Sequence, residues 1–290
     1  MNNLYRDIRT VLMRSGIAEG EAKAITLLLM EKVCGMTTTE ALTNNIKGEA
    51  HREELLPLVQ RVAKGEPVQY VLGEADFCGI TINVKPGVLI PRKETEELVA
   101  WVVEEERKNG GKKRIGTLRI LDIGTGSGCI AITLAKKLEK AEVDAWDVSD
   151  VALQVAKENA RKNCVNVKVS KVDVLSNLIL STSTLDYYDV IVSNPPYICE
   201  EETKDIEQNV LEHEPRIALF VPDNDPLLFY RRIGKLGLQK LRGGGMLFFE
   251  INRRFGNEVM NLLQDMNYQM VELRQDMFGN NRMIKAIKPL

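Results

Sequence analysis

Histidine is almost missing from this 290-residue chain, which holds only His51 and His213. So few imidazoles exclude a histidine-built metal centre, and no metal site is expected. The five cysteines (Cys34, Cys78, Cys129, Cys164, Cys199) are odd in number and contain no C-x-x-C pair. That argues against a disulfide frame or a zinc ribbon and fits reduced thiols. Long apolar runs are absent as well: none reaches the roughly 18 residues of a membrane helix. Arg6, Asp7 and Arg9 stand where a secretory signal would have its apolar core. Neither sign of charge dominates, since the formal net charge is −2, so no global field draws the chain to nucleic acid or anionic lipid. The expectation is a cytoplasmic protein with no membrane attachment and a monomer as the default state.

What is present is ordinary for a globular protein, with 44% apolar and 28% charged residues. Residues 1–75 read as a helical domain. Leu4, Ile8, Val11 and Leu12 recur at helical spacing, as do Ala22, Ile25, Leu29 and Val33, then Leu55, Leu58, Val59 and Val62. Gly65 and Pro67 form a helix stop. Residues 76–92 read as a linker with a β-hairpin, because Gly79 and Gly87 bracket the alternating "ITINV". From 93 to 290, helix and strand signals alternate. Strands are expected at "LRILDIG", "VDAWDV", "VNVKVS", "YDVIVSN" and "GMLFFEI", and near 268–274 and 283–288. Helices are expected over 94–108, 127–138, "VALQVAKENARKN", 226–241 and 256–265. Seven strands with intervening helices imply an α/β domain with a doubly wound, parallel sheet covered on both faces. The basic cluster "RKNGGKKR" at 107–114 reads as a solvated loop.

Between the first of these strands and its helix, "LDIGTGSG" sets Gly124, Gly126 and Gly128. Glycines there permit a tight turn and let a ligand approach the backbone and the helix N-terminus. Nineteen residues after Gly128, Asp147 ends the second strand, where a carboxylate can accept hydrogen bonds from both hydroxyls of a ribose. The dinucleotide fingerprint G-x-G-x-x-G would need its third glycine at Cys129, which weakens an oxidoreductase reading. G-x-G-x-G instead resembles S-adenosylmethionine-dependent methyltransferases of Rossmann-like fold. That resemblance implies that Asp122 faces the methionine part of the cofactor and that Asp173 and Val174, in "KVDVL", hold the adenine.

The fourth strand stops at Asn194-Pro195-Pro196-Tyr197. Proline biases the preceding asparagine to extended backbone, and two prolines fix successive φ angles while removing two donors. The result is a stiff rim presenting the Asn194 side-chain oxygen and the Pro195 carbonyl as acceptors, with Tyr197 as an aromatic wall. Such a rim suits a planar NH2 group whose nitrogen must face a methyl donor.

Beyond these two loops, "GEPVQYVLGEADFCG", "VLIPRKETEELV", "DVIVSNPPYI", "EHEPRIAL" and "FGNNR" resemble the protein-(glutamine-N5) methyltransferases of peptide-chain release factors, the HemK/PrmC family. The resemblance implies a small N-terminal helical domain for substrate recognition and a methyltransferase domain over 93–290. Its partner would be a release factor, whose Gly-Gly-Gln glutamine is methylated in the course of translation termination. S-adenosylmethionine would be the cofactor and S-adenosylhomocysteine the product. Asp122, Ile123, Gly124, Thr125, Gly126, Asp147, Asp173, Val174 and Asn194 would line the cofactor site. Asn194, Pro195, Pro196 and Tyr197, with Arg92 and Glu94, would bind the glutamine. Two positions depart from the pattern: Lys93 replaces a second proline, and "FFEINRRFG" lacks a glycine shortly after Glu250. The alternatives are an amino-methyltransferase acting on adenine or guanine in DNA or RNA, and a non-catalytic binding module. Direct nucleic-acid binding is not expected, because residues 1–80 carry 9 Lys/Arg against 11 Asp/Glu and the remainder carries 30 of each.

Overall fold

The computed structural model describes residues 3–110, 116–176 and 187–290; residues 111–114 of the basic cluster lie outside them. The chain forms two compact units, Met1–Glu74 with Glu207–His213, and Ala75–Ile206 with Glu214–Leu290.

The first unit is helical: α1 (Asn3–Arg14), α2 (Glu19–Cys34), α3 (Thr38–Thr43), α4 (Asn45–Ala50), α5 (Arg52–Ala63) and α6 (Val68–Leu72). Its core holds Leu4, Ile8 and Leu12 of α1, Ala22, Ile25 and Leu29 of α2, and Leu55, Val59 and Val62 of α5. Val11 departs from the expected stripe and is exposed; at i+3 from Ile8 it falls just past the buried face. Met36 follows the left-handed Gly35 that ends α2, and Thr37 with Glu40 forms a reciprocal capping box that starts α3. A later helix, α10 (Gln208–His213), clusters with this unit. Nothing in its polar sequence signals that placement.

The second unit opens on a hairpin of β1 (Glu74–Phe77) and β2 (Ile80–Asn83). Cys78 (φ 51°) and Gly79 (φ 80°) make its two-residue turn, a pair of positive φ angles matched to strand twist. Then follow α7 (Lys93–Gly110), β3 (Leu118–Ile123), α8 (Cys129–Lys137), β4 (Ala141–Asp147), α9 (Asp150–Lys162), β5 (Val167–Lys171) and β6 (Tyr188–Ser193). After two short strands, β7 (Ile198–Cys199) and β8 (Phe220–Val221), flanking α11 (Arg216–Leu219), come α12 (Leu228–Lys240), β9 (Leu241–Glu250), α13 (Gly256–Asp265), β10 (Gln269–Gln275) and β11 (Asn281–Ile287).

The main sheet has seven strands in the order β10-β11-β9-β6-β3-β4-β5. Its middle is parallel and nearly continuous in apolar residues, as doubly covered strands must be: Val190, Ile191 and Val192 of β6 are wholly buried. The sheet is mixed rather than all parallel, because β11 runs antiparallel to both β9 and β10. No helix separates β10 from β11, so a tight turn returns the chain and reverses its direction. β9 also begins earlier than its apolar residues suggest, at Leu241. The Gly243–Gly245 run lies in the strand and bonds to Lys288 at the chain's end.

Order matters for the site. From β3 the chain moves to β4 and β5 on one side, then crosses to β6 on the other. This leaves a crevice beyond the carboxyl ends of β3 and β6, where ligands of open α/β sheets bind.

Candidate active site

The crevice is a cavity of about 320 Å3, within the roughly 300–1,000 Å3 usual for small-molecule sites. Four segments converge on it: the glycine loop after β3, Asp147 and its neighbours after β4, Asp173–Leu175 after β5, and Asn194–Pro196 after β6. The strands bring these ends level, since Ile123 pairs with both Trp146 of β4 and Ser193 of β6.

The glycine loop is held from below. The Gly124 and Thr125 N–H groups both donate to the Trp146 carbonyl (2.9 Å each), and Gly126 N–H donates to Asp147 Oδ2 (2.8 Å). The other Asp147 oxygen accepts from Ser149 N–H (2.9 Å). Asp147 therefore fixes the loop and leaves acceptor capacity on both oxygens toward the cavity. Gly124 and Gly126 have φ of 73° and 55°, a region that L side chains rarely adopt. A Cβ on Gly124 would stand 3.9 Å from the Asn194 carbonyl oxygen, so the two motifs sit in van der Waals reach of each other. Ser193 ties them further, its hydroxyl donating to the Ile123 carbonyl at 2.7 Å.

Asp122 takes a different place from the other loop residues. It is wholly buried and does not line the cavity. Its Oδ2 accepts from the Thr125 hydroxyl (2.6 Å) and from Ala131 N–H in the first turn of α8 (3.2 Å). Its Oδ1 has no partner among the described residues. Burial raises its pKa to about 7, against the lowering effect of those two bonds. Asp173 and Val174 do reach the cavity. Their loop is pinned from α12, where Arg232 donates to the Val174 carbonyl at 2.7 Å and to the Ser176 carbonyl.

At the end of β6, Asn194 faces the cavity while its Nδ2 donates to the Thr95 hydroxyl at 3.1 Å. Thr95 in turn donates to Glu250 Oε2 at 2.6 Å, and Tyr197 donates to Glu250 Oε1 at 3.1 Å. Tyr197 thus turns its hydroxyl inward to Glu250, and its ring packs on the core of the sheet; Pro195 and Pro196 form the rim. Glu250 ends β9 almost fully buried, and desolvation raises its pKa, opposed by the bonds from Thr95 and Tyr197 and by the charge of Arg282. The backbone after the prolines is braced too: Asn252 Nδ2 donates to the Tyr197 carbonyl at 3.0 Å and to Glu202 at 2.8 Å.

Of the two substrate residues expected here, Arg92 lines the cavity and Glu94, in the first turn of α7, does not. Arg92 is held by Glu214, at 2.5 Å, whose second oxygen accepts from Ile90 N–H. Lys93, at the departure from the family pattern, pairs with Glu96 in the first turn of α7 at 2.7 Å. Sequence reasoning missed Asn252, Glu202 and Arg232 as supports. The polar run "EIN" directly after the apolar strand "MLFF" was the one available signal, since polar residues at a buried strand's carboxyl end need partners.

The chain matches two family models, "PrmC N-terminal domain" over residues 3–73 and "Methyltransferase small domain" over residues 112–217. It is 44% identical over 272 residues to a release factor glutamine methyltransferase of Bacteroides thetaiotaomicron, covering 92% of each chain. With the protein of the same name from Flavobacterium psychrophilum it shares 49% identity over 221 residues, 76% of this chain and 75% of that one. Among solved structures, a human methyltransferase 10 domain containing protein superposes with a TM-score of 0.53 at 22% identity, covering 73% of this chain and 88% of that one, which speaks for the fold.

Proposed function

The chain belongs to the release factor glutamine methyltransferase family, and from that premise we propose that it methylates the side-chain amide nitrogen of the glutamine in the Gly-Gly-Gln motif of peptide-chain release factors. S-adenosylmethionine is the cofactor; when bound, it supplies an electrophilic methyl group and leaves as S-adenosylhomocysteine. The residues fit it. Positive-φ glycines let a ligand lie against the backbone at Gly124 and Gly126, Asp147 keeps free lone pairs for a ribose diol, and the Asp173–Leu175 segment walls the far end.

A glutamine amide is a poor nucleophile because its lone pair is delocalised into the carbonyl. Asn194 Oδ1 and the Pro195 carbonyl take its two hydrogens in this reading, which orients the nitrogen and favours its pyramidal form. Both acceptors are preorganised, so little reorganisation remains for the transfer step. No general base is required first: the nitrogen becomes acidic on methylation and sheds its proton then. Arg92, held by Glu214, stands at the mouth for the peptide backbone around the glutamine.

The observation that carries the reading is the orientation of Asn194. Its amide NH2 is spent on Thr95, so its oxygen is left for the cavity, beside the glycine loop. Because the substrate is a translation factor, we place the protein in the cytoplasm. Among the described residues no helix is long and apolar enough to cross a membrane. We expect it to act as a monomer without binding nucleic acid directly.

The test is mass spectrometry of a release factor incubated with the protein and labelled S-adenosylmethionine. One methyl group on the Gly-Gly-Gln amide is expected, and methylation of DNA or RNA oligonucleotides alone would overturn the assignment. Asn194→Ala should lower kcat by roughly 10²–10³, the usual loss of one preorganised polar group, with a much smaller change in cofactor affinity. Equal losses in both would make Asn194 a structural residue.

A further inference from the structure

An asparagine amide has two nearly isosteric ends, and only one of them can accept a substrate hydrogen. Something must decide which end faces the cavity. Thr95 alone cannot, since a hydroxyl can donate or accept. The deciding group is its next neighbour. An ionised carboxylate accepts only, so the 2.6 Å bond to Glu250 Oε2 consumes the single Thr95 proton. Toward Asn194, at 3.1 Å, the Thr95 oxygen can then only accept, and only the NH2 end satisfies it. Tyr197 donates to the other Glu250 oxygen and Arg282 lies nearby, and both favour the ionised carboxylate against the desolvation that opposes it.

We propose that Glu250 and Thr95 are positioning residues forming a polarity relay: the buried carboxylate fixes the direction of the threonine hydroxyl, which holds the Asn194 amide with its oxygen toward the reacting nitrogen. The inference rests on the methyltransferase reading given above for its kinetic test, though not for its structural one. The relay joins residues from α7, the end of β6 and the end of β9. Arg282 of β11 supplies the compensating charge near Glu250, itself tied to Asp276 at 3.1 Å. The remaining titratable groups facing Glu250 are Tyr197, Tyr230 and Glu94.

Glu250→Gln keeps the volume but can donate as well as accept, so it removes the direction of the relay while leaving its shape. Thr95→Val removes the hydroxyl at similar size, and Thr95→Ser restores it. With a release factor as substrate, kcat of Glu250→Gln and Thr95→Val should fall on the order of 100-fold, while KM for the factor and cofactor affinity change little. Thr95→Ser should stay close to wild type. In an Asn194→Ala background, Glu250→Gln should cause no further loss, because residues acting through one partner are not additive. Multiplying losses, or Thr95→Ser as impaired as Thr95→Val, would overturn the relay.

A second readout needs no substrate. In labelled protein, the Asn194 side-chain amide protons should show a hydrogen-bonded shift and slow exchange in wild type and Thr95→Ser, lost in Thr95→Val and Glu250→Gln. If wild type failed to methylate any release factor, the functional reading would fall while these amide signals still decided the relay. Should Glu250→Gln not fold, the Thr95 pair carries the test.

Discussion

Gly128→Ala isolates what the glycine loop requires of the fold from what it requires of a ligand. Gly128 has φ +82°, and it precedes the first residue of α8. An alanine there incurs two separable costs. The left-handed backbone costs a non-glycine residue about 1–2 kcal/mol. The added Cβ would also stand 3.0 Å from Ile132 Cδ1, 3.1 Å from Ala156 Cβ and 3.2 Å from Ala156 Cα. The isoleucine tip can rotate, but the α9 backbone at Ala156 cannot retreat without opening the α8–α9 contact. Overpacking of that kind costs about 1–3 kcal/mol. The sum, about 2–5 kcal/mol, is a large part of a typical domain's 5–15 kcal/mol. Urea denaturation of the full-length protein should show the lower midpoint with an unchanged m-value. Ala156→Gly in the same chain should recover the part due to the Cβ–Cβ clash and leave the backbone cost. Gly126→Ala offers the contrast, because its φ is also positive (+55°) but nothing lies within 4 Å; only the backbone cost should appear. A loss below about 1 kcal/mol for Gly128→Ala, or equal losses at the two glycines, would refute the close-approach argument.

Two further outcomes are expected. Asp122 has its carboxyl raised by burial from 3.8 to about 7, so between those values the folded protein holds a proton that the unfolded chain releases. Stability from this group is therefore full at low pH and lost as pH rises toward 7, by at most about 4 kcal/mol at 1.36 kcal/mol per pH unit. Asp122→Asn should flatten that slope in denaturation series from acid to neutral pH; parallel slopes would contradict it, since Glu250, also raised, contributes equally to both proteins. Arg92→Ala should strand the Glu214 carboxylate, whose side chain is 1% exposed against 35% for Arg92, and destabilise by about 1–3 kcal/mol. Arg92→Met with Glu214→Gln should be milder than the single change; a double variant worse than the single one would show that the pair is not what holds this loop.

The parts of this molecule that follow from chain periodicity could be read in advance. The parallel strands and their helices announce themselves through runs such as "DVIVSN", and the glycine loop through residues that must adopt positive φ. The antiparallel turn of β11 against β9 could not be read, because it depends on which edge of the sheet remains open once β9 has paired with β6. The interior bonds were illegible for a similar reason. Thr95 and Glu250 lie 155 positions apart in the hydrogen bond they share, and no local pattern encodes a partner so remote. Tyr197 illustrates the limit well: its place in Asn-Pro-Pro-Tyr suggests a wall of the cavity, whereas the structure commits its hydroxyl to a buried acid. Asp122 is a second case, since a carboxylate at a strand end serves equally as a ligand for solvent-facing charge or as an internal anchor for Thr125 and α8.

The strand β11 carries the guanidinium that offsets the acid at the end of β9. Without Arg282 beside it, the Glu250 carboxylate loses the cation that favours its ionised form, and with it part of what fixes the Asn194 amide in one orientation. The relay is thus complete only once β11 has paired with β9 and brought Arg282 beside Glu250.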